Sequence, residues 1–295
     1  MLRLLLVSVS LFCCVSTVVA QPIDTLKRIA DTGTINLGHR ESSVPFSYYD
    51  NRRQVVGYSH ELMLRVLDAI KTELKLPALT IKLVPVTPQN RMALVQNGAV
   101  DIECGSTTHN RERARQVAFS VSIFKIGTRL MTARDSGIYD FPDLARKRVV
   151  VTAATTSERL LRLFNEGIGR KFSIVVAKDH DESFALLEAG RVDAFMMDDA
   201  LLYGERAKAH DPDRWVVVGS PMSSEVYGCM MRSGDREFKR IVDAALTQQM
   251  QSGEAMRIYA KWFEQPIPPR GLNLNWPASP DLVELYRKPN DLPID

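Results

Sequence analysis

After its first twenty residues, this 295-residue chain has no apolar run near the roughly eighteen residues that a membrane-crossing helix needs, which excludes a helical membrane body. Cysteine is scarce: of four, two fall in the opening segment, and Cys104 and Cys229 are too few for a disulfide-dense scaffold. Glycine, at 16 residues, and proline, at 15, are not in excess, which argues against collagen, repeat arrays and disorder. Charge of one sign is lacking too. The 38 basic residues nearly balance the 35 acidic ones, leaving +3 with no long basic block, so no nucleic-acid partner is expected and anion recognition has to be local. A metal-ligand set, a phosphate loop and a nucleophile beside a positioned base are also missing, so neither a metal nor a cofactor is expected.

What is present begins with a leader. Met1, Leu2 and Arg3 precede an apolar stretch interrupted only by Ser8, Ser10, Cys13, Cys14, Ser16 and Thr17, and Val18, Val19 and Ala20 form a peptidase-like exit. Residues 1–20 therefore read as a signal peptide cleaved after Ala20, with an uncleaved anchor as the alternative. In an oxidising compartment Cys104 and Cys229 favour pairing, and closing so long a loop would constrain the unfolded chain strongly; two separately buried thiols are the other possibility. The length suits two cores better than one.

Strand and helix patterns alternate from the mature start. An amphipathic helix is expected near residues 25–31, strands at 35–38, 81–86 and 100–104, and helices at 59–74 and 89–96. This βαβ rhythm predicts an α/β fold with mostly parallel sheet and covering helices. An internal echo runs at an offset of 92 residues: the stretch Met92 to Asp101 lies against Phe184 to Asp193. In both, an apolar helix ends at a glycine, Gly98 or Gly190, and leads into a strand. The echo extends to strands 81–86 and 174–177, and to 35–38 and 149–152, so two lobes of one plan are expected. Short apolar runs at 128–132 and 225–231 are the expected crossings and a natural hinge. They place lobe 1 at 21–132 and 223–295 and lobe 2 at 133–222, with the end from Pro266 wrapping the surface.

Ligands of open parallel sheets bind beyond the carboxyl ends of the strands. That rule selects the loops holding Arg40, Arg91, Ser106, Thr108, Thr155, Thr156, His180 and Asp198. At the offset of 92, Asp198 falls on Ser106, so the two would face each other across a cleft. Ser106, Thr107 and Thr108 lead into a short helix carrying Arg113, a carboxylate cradle of hydroxyls, amides and a guanidinium fork; ordinary capping with a solvated arginine face is the plainer reading. Thr155, Thr156 and Glu158 read as a helix start whose hydroxyls also reach the cleft. One of Asp198 and Asp199 caps a helix, leaving the other to meet an ammonium. Three cations, Arg40, Arg91 and His180, around one Asp predict a ligand with one ammonium and two carboxylates. An enzyme on this fold would need a general acid or base, for which His180 and Glu41 are nominal candidates.

The stretches from Gly38 to Asp50, Glu103 to Thr108, Ala194 to Ala200 and Tyr259 to Phe263 resemble those of the periplasmic glutamate/aspartate-binding proteins of bacterial ABC importers, within solute-binding protein family 3. The resemblance covers nearly the whole chain after the leader. It implies the two-lobed type II periplasmic binding fold, each lobe a mostly parallel sheet with flanking helices, joined by two hinge strands. It further implies a periplasmic, non-enzymatic monomer that binds L-glutamate or L-aspartate and serves an inner-membrane ABC permease. By position, Arg113, Ser106 and Thr108 would hold the α-carboxylate, Asp198 the ammonium, and Arg40, Arg91, Thr156 and His180 the side-chain carboxylate. Two departures stand out: Pro88 replaces a serine beside Arg91, and Ala153 with Ala154 replaces a Ser-Gly-like pair.

Overall fold

Two five-stranded sheets repeat one strand order in the computed structural model, which describes residues 24–295; the leader and its cleavage site lie outside the described residues. In the first, Thr34–His39 runs parallel to Thr80–Pro85 on one side and Ile102–Glu103 on the other, and Met230–Met231 and Ala118–Phe119 complete the edge. In the second, Arg148–Thr152 runs parallel to Ser173–Ala177 and Ala194–Asp198, followed by Thr128–Ala133 and Trp215–Val218. Leu37 pairs with Leu83 and Ile102, just as Val149 pairs with Ile174 and Ala194. The step from Ile102 to Ala194 is the offset of 92 (194 − 102). Gly98 and Gly190 end their helices at φ +79° and +67°, the left-handed conformation that favours glycine.

Local chemistry explains the elements. Arg148–Thr152 is buried from Val149 onward because both faces of a central parallel strand are covered, which a run of β-branched residues suits. Helix Tyr58–Glu73 turns Leu62, Met63, Val66, Leu67 and Ile70 to the core, spaced three and four apart. Helix Thr156–Gly167 starts where the Thr155 hydroxyl accepts from the Glu158 amide at 3.1 Å.

Between the sheets the chain passes twice through an antiparallel ribbon of Phe124–Ile126 and Glu225–Tyr227, with Glu225 opposite Ile126. Residues 128–132, expected to cross, are instead the fourth strand of the second sheet. Leu130 is fully buried in a cluster with Val149, Val151, Ala194 and Met196, so burial fixes it there, and a short apolar run does not distinguish a crossing from a core strand. The second predicted run, 225–231, divides into the ribbon strand and Met230–Met231.

Cys104 and Cys229 form a disulfide of 2.08 Å across 125 residues, tying the ends of two adjacent strands of the first sheet. Behind the ribbon, Phe46, Tyr58, Phe124, Tyr227, Tyr259 and Phe263 pack as one aromatic group, with Phe46 edge-on to Phe124 at 4.8 Å. The C-terminal stretch is more than a surface wrap. Helix Pro280–Arg287 buries Leu282 and Tyr286, four residues apart on one face, and the Tyr286 hydroxyl donates to the Ile123 carbonyl at 3.0 Å.

The two halves are closed on each other. Gln89 Nε2 donates to the Lys178 carbonyl at 2.8 Å, and Tyr203 lies against Trp276 with ring centroids 5.0 Å apart. On helix Asp199–Lys208, Gly204 approaches Val44 so closely that a Cβ there would sit 2.0 Å from the Val44 carbonyl oxygen.

Candidate ligand-binding site

Every parallel strand of both sheets delivers side chains to one small cavity between the two sheets. Arg40 follows Thr34–His39, Arg91 follows Thr80–Pro85, and Ser106, Thr108 and Arg113 follow Ile102–Glu103. From the second sheet, Thr155 and Thr156 follow Arg148–Thr152, His180 follows Ser173–Ala177, and Asp198 ends its strand. The nine residues selected from the sequence line the cavity, and Met197 is the tenth.

The cations are the site's main feature. Arg40 and Arg91 are each 2% exposed, and neither they nor half-buried Arg113 forms an ion pair among the described residues. Arg91 is held through Thr107: its guanidinium donates to Thr107 Oγ1 at 2.6 Å, and that hydroxyl donates to buried Glu103 at 3.0 Å. Arg113 donates to the Thr108 carbonyl at 3.0 Å. Burial and the neighbouring Arg91 push Arg40 down to about 9 and Arg113 down to about 10, and burial lowers Arg91. Three guanidiniums this close, without carboxylate partners at ion-pair distance, call for an anion. Plain capping does occur beside them, since Asn110 caps helix Arg111–Ala114 while Arg111 and Arg115 face solvent; only Arg113 turns inward.

Asp198 supplies the acidic group of the lining. It occupies the cap position of helix Asp199–Lys208 without capping it, while Asp199 accepts from the Ala200 and Gly127 amides. Asp198 accepts from Ser157 Oγ at 3.1 Å and from the Tyr227 hydroxyl. Burial, then the nearby Glu225, pushes its carboxyl up to about 8. His180, expected as a third cation, is neutral: it is fully buried, and burial with Arg40, Lys208 and Arg91 around it drives its pKa well down. Its Nδ1 lies 2.9 Å from Thr152 Oγ1, and Arg113 takes the third place among the cations.

Other expectations need adjusting. The Thr155 hydroxyl is committed locally, donating to the Thr152 carbonyl at 2.7 Å while it caps its helix. Pro88 is buried but does not line the cavity, and Glu41 is exposed away from it. Ala154 adopts φ 59°, the conformation its expected glycine would take without steric cost. Sequence reasoning missed Glu103, Tyr227 and Glu225, which stand behind the lining. The alternation of Glu225, Tyr227 and Cys229 in a strand-like run was the available signal.

Residues 35–265 match the family model described as bacterial extracellular solute-binding proteins, family 3. The chain is 58% identical to an L-glutamate/L-aspartate-binding protein of Pseudomonas aeruginosa, over 90% of this chain and 89% of that one. It is 53% identical to a glutamate/aspartate import solute-binding protein of Escherichia coli K12, over 90% and 88%. Both relatives are solute-binding proteins rather than enzymes. Among solved structures, an ancestral arginine-binding protein bound to arginine superposes with a TM-score of 0.70 at 26% identity, covering 78% of this chain and 98% of that one. An ancestral amino acid-binding protein described as a precursor of cyclohexadienyl dehydratase gives 0.68 at 28%, covering 81% and 99%. With its repeated sheets, its two-strand ribbon and the match over most of its length, the chain belongs to the bacterial extracellular solute-binding proteins of family 3.

Proposed function

We propose that this protein captures L-glutamate or L-aspartate between its lobes in the periplasm, as a monomer exported by a cleaved signal peptide, and delivers it to an inner-membrane ABC permease. The observation that carries the ligand class is the pair of deeply buried arginines, Arg40 and Arg91, converging with Arg113 and Asp198 on one closed cavity without forming ion pairs. A ligand with two carboxylates and one ammonium offers anionic groups to the guanidiniums and a cationic donor to Asp198. Arg113 and Ser106 take the α-carboxylate, Asp198 the ammonium, and Arg40, Arg91 and neutral His180 the side-chain carboxylate. The lobes are assigned to residues 24–126 with 225–295, and to residues 127–224, with the division drawn at the ribbon that joins the two five-stranded sheets. Ligand bridging the lobes favours the closed state through contacts that the open state lacks.

A thermal-shift panel of amino acids on the mature protein, followed by calorimetry, tests the reading. Glutamate and aspartate are expected to raise the melting temperature. Glutamine is expected to fail, because its amide presents N–H donors to guanidinium donors and leaves both unpaired. Equal binding of glutamine and glutamate would overturn the side-chain pocket.

A further inference from the structure

Glu225 lies on the return strand of the ribbon, 1% exposed, and its carboxylate is surrounded by hydroxyl groups. Oε2 accepts from Thr108 Oγ1 at 2.6 Å and from Thr156 Oγ1 at 2.8 Å. Oε1 accepts from Ser223 Oγ at 2.9 Å, and Thr128 Oγ1 lies 2.8 Å from that hydroxyl. Thr108 belongs to the first lobe and Thr156 begins a helix of the second, so one oxygen gathers a hydroxyl from each side of the cleft.

A hydroxyl carries one proton and two lone pairs. With both protons committed to Oε2, Thr108 and Thr156 offer only lone pairs to the cavity they line. The direct contact between the two hydroxyls is longer, at 3.4 Å, and does not compete. Their polarity is therefore that of acceptors, the reverse of the carboxylate-donating roles that the resemblance implied.

We propose that Glu225 is a positioning residue that fixes the hydroxyls of Thr108 and Thr156 as acceptors and thereby selects diacids bearing an ammonium over the same diacids without one. The proposal rests on the acidic amino-acid reading and names the source of its amine requirement. An ammonium brings three donors to Asp198 and these two oxygens. A ligand such as glutarate brings none, and leaves the lone pairs of both threonine oxygens without a donor from the ligand. If a glutamine side chain replaced Glu225, its N–H₂ group would donate to one threonine oxygen and turn that hydroxyl toward the ligand as a donor. The site would then tolerate a carboxylate where it now requires an amine.

The test is calorimetric affinity for glutamate and for glutarate in the wild-type mature protein, in Glu225→Gln and in Thr156→Val, with folding checked by circular dichroism. Wild type is expected to prefer glutamate. Glu225→Gln is expected to narrow the ratio by about tenfold, the weight of one hydrogen bond to a charged group. Thr156→Val is expected to narrow it too, because the acceptor it removes serves only the amine, and this variant carries the test if Glu225→Gln does not fold. A merely structural role predicts that both variants weaken both ligands by one common factor, which would overturn the proposal while leaving the glutamate reading intact. Wild-type protein that binds neither glutamate nor glutarate would overturn the functional reading, and this inference with it.

Discussion

The two lobes share a sheet plan and differ in what they bring to the cavity. The first contributes all three guanidiniums; the second contributes Asp198, neutral His180 and the helix start at Thr156. Topology makes both sets of strand ends face one crevice, whereas the sign of each rim is decided residue by residue in the loops. The first lobe is built to receive an acid and the second to close over it. Only the first lobe carries a covalent staple, and the closing face of the second depends on a glycine at 204.

Removing the staple strikes hardest at this asymmetry. Cys104→Ser with Cys229→Ser is expected to cost about 4–5 kcal/mol by the loop-entropy account for a loop of this size. Denaturant unfolding should show the loss in the first lobe, and an equal loss in both lobes would break the comparison. Next in size is the guanidinium rim: Arg91→Met is expected to remove about 2–5 kcal/mol of ligand affinity by calorimetry. His180→Asn, which replaces one neutral partner by another, should cost about 1 kcal/mol. Comparable losses would mean that the second lobe holds charge as strongly as the first.

Gly204→Ala sharpens the closing role. Its methyl would collide with the Val44 carbonyl in the closed form alone, so affinity is expected to fall by about 1–3 kcal/mol while the melting of the unliganded protein stays put. A separate effect is on pH dependence. Asp198, pushed up to about 8 by burial and Glu225, keeps a proton that the unfolded chain loses near pH ~3.9. Between those values the native state binds more protons than the unfolded state, so unliganded stability falls as pH rises. Asp199 and Glu205, raised to about 6 and about 7 by burial, act in the same direction, so Asp198→Asn should shallow the slope without removing it. On the proposed assignment, a ligand ammonium restores charge to Asp198. Up to about one proton is expected to leave on binding near neutral pH, measured by calorimetry in buffers of different ionisation enthalpy.

Much of this was legible in the chain. Gly98 and Gly190 marked equivalent helix ends, and the offset they defined carried Ile102 onto Ala194 in the sheets. Strand ends pointed to the cavity residues because local periodicity fixes where a strand stops. Glu225 was not legible by that route. It lies 117 residues from Thr108 and meets it only through the antiparallel ribbon, a pairing that periodicity does not specify. The neutrality of His180 was hidden for a similar reason, since it depends on burial and on Arg40 and Arg91 arriving from the other lobe.

The return segment sets Glu225, Tyr227 and Cys229 at alternate positions: the first gathers the threonines, the second donates to Asp198, and the third closes the disulfide. Side chains of a strand alternate faces with a period of two, so Glu225 and Tyr227 share a register, and Cys229 follows two residues after that strand ends. Inserting or deleting one residue ahead of Glu225 within this ribbon would turn Glu225 and Tyr227 away together. This short stretch is thus intolerant of length variation, and in homologous chains gaps should cluster elsewhere, in loops such as the exposed stretch at 51–54.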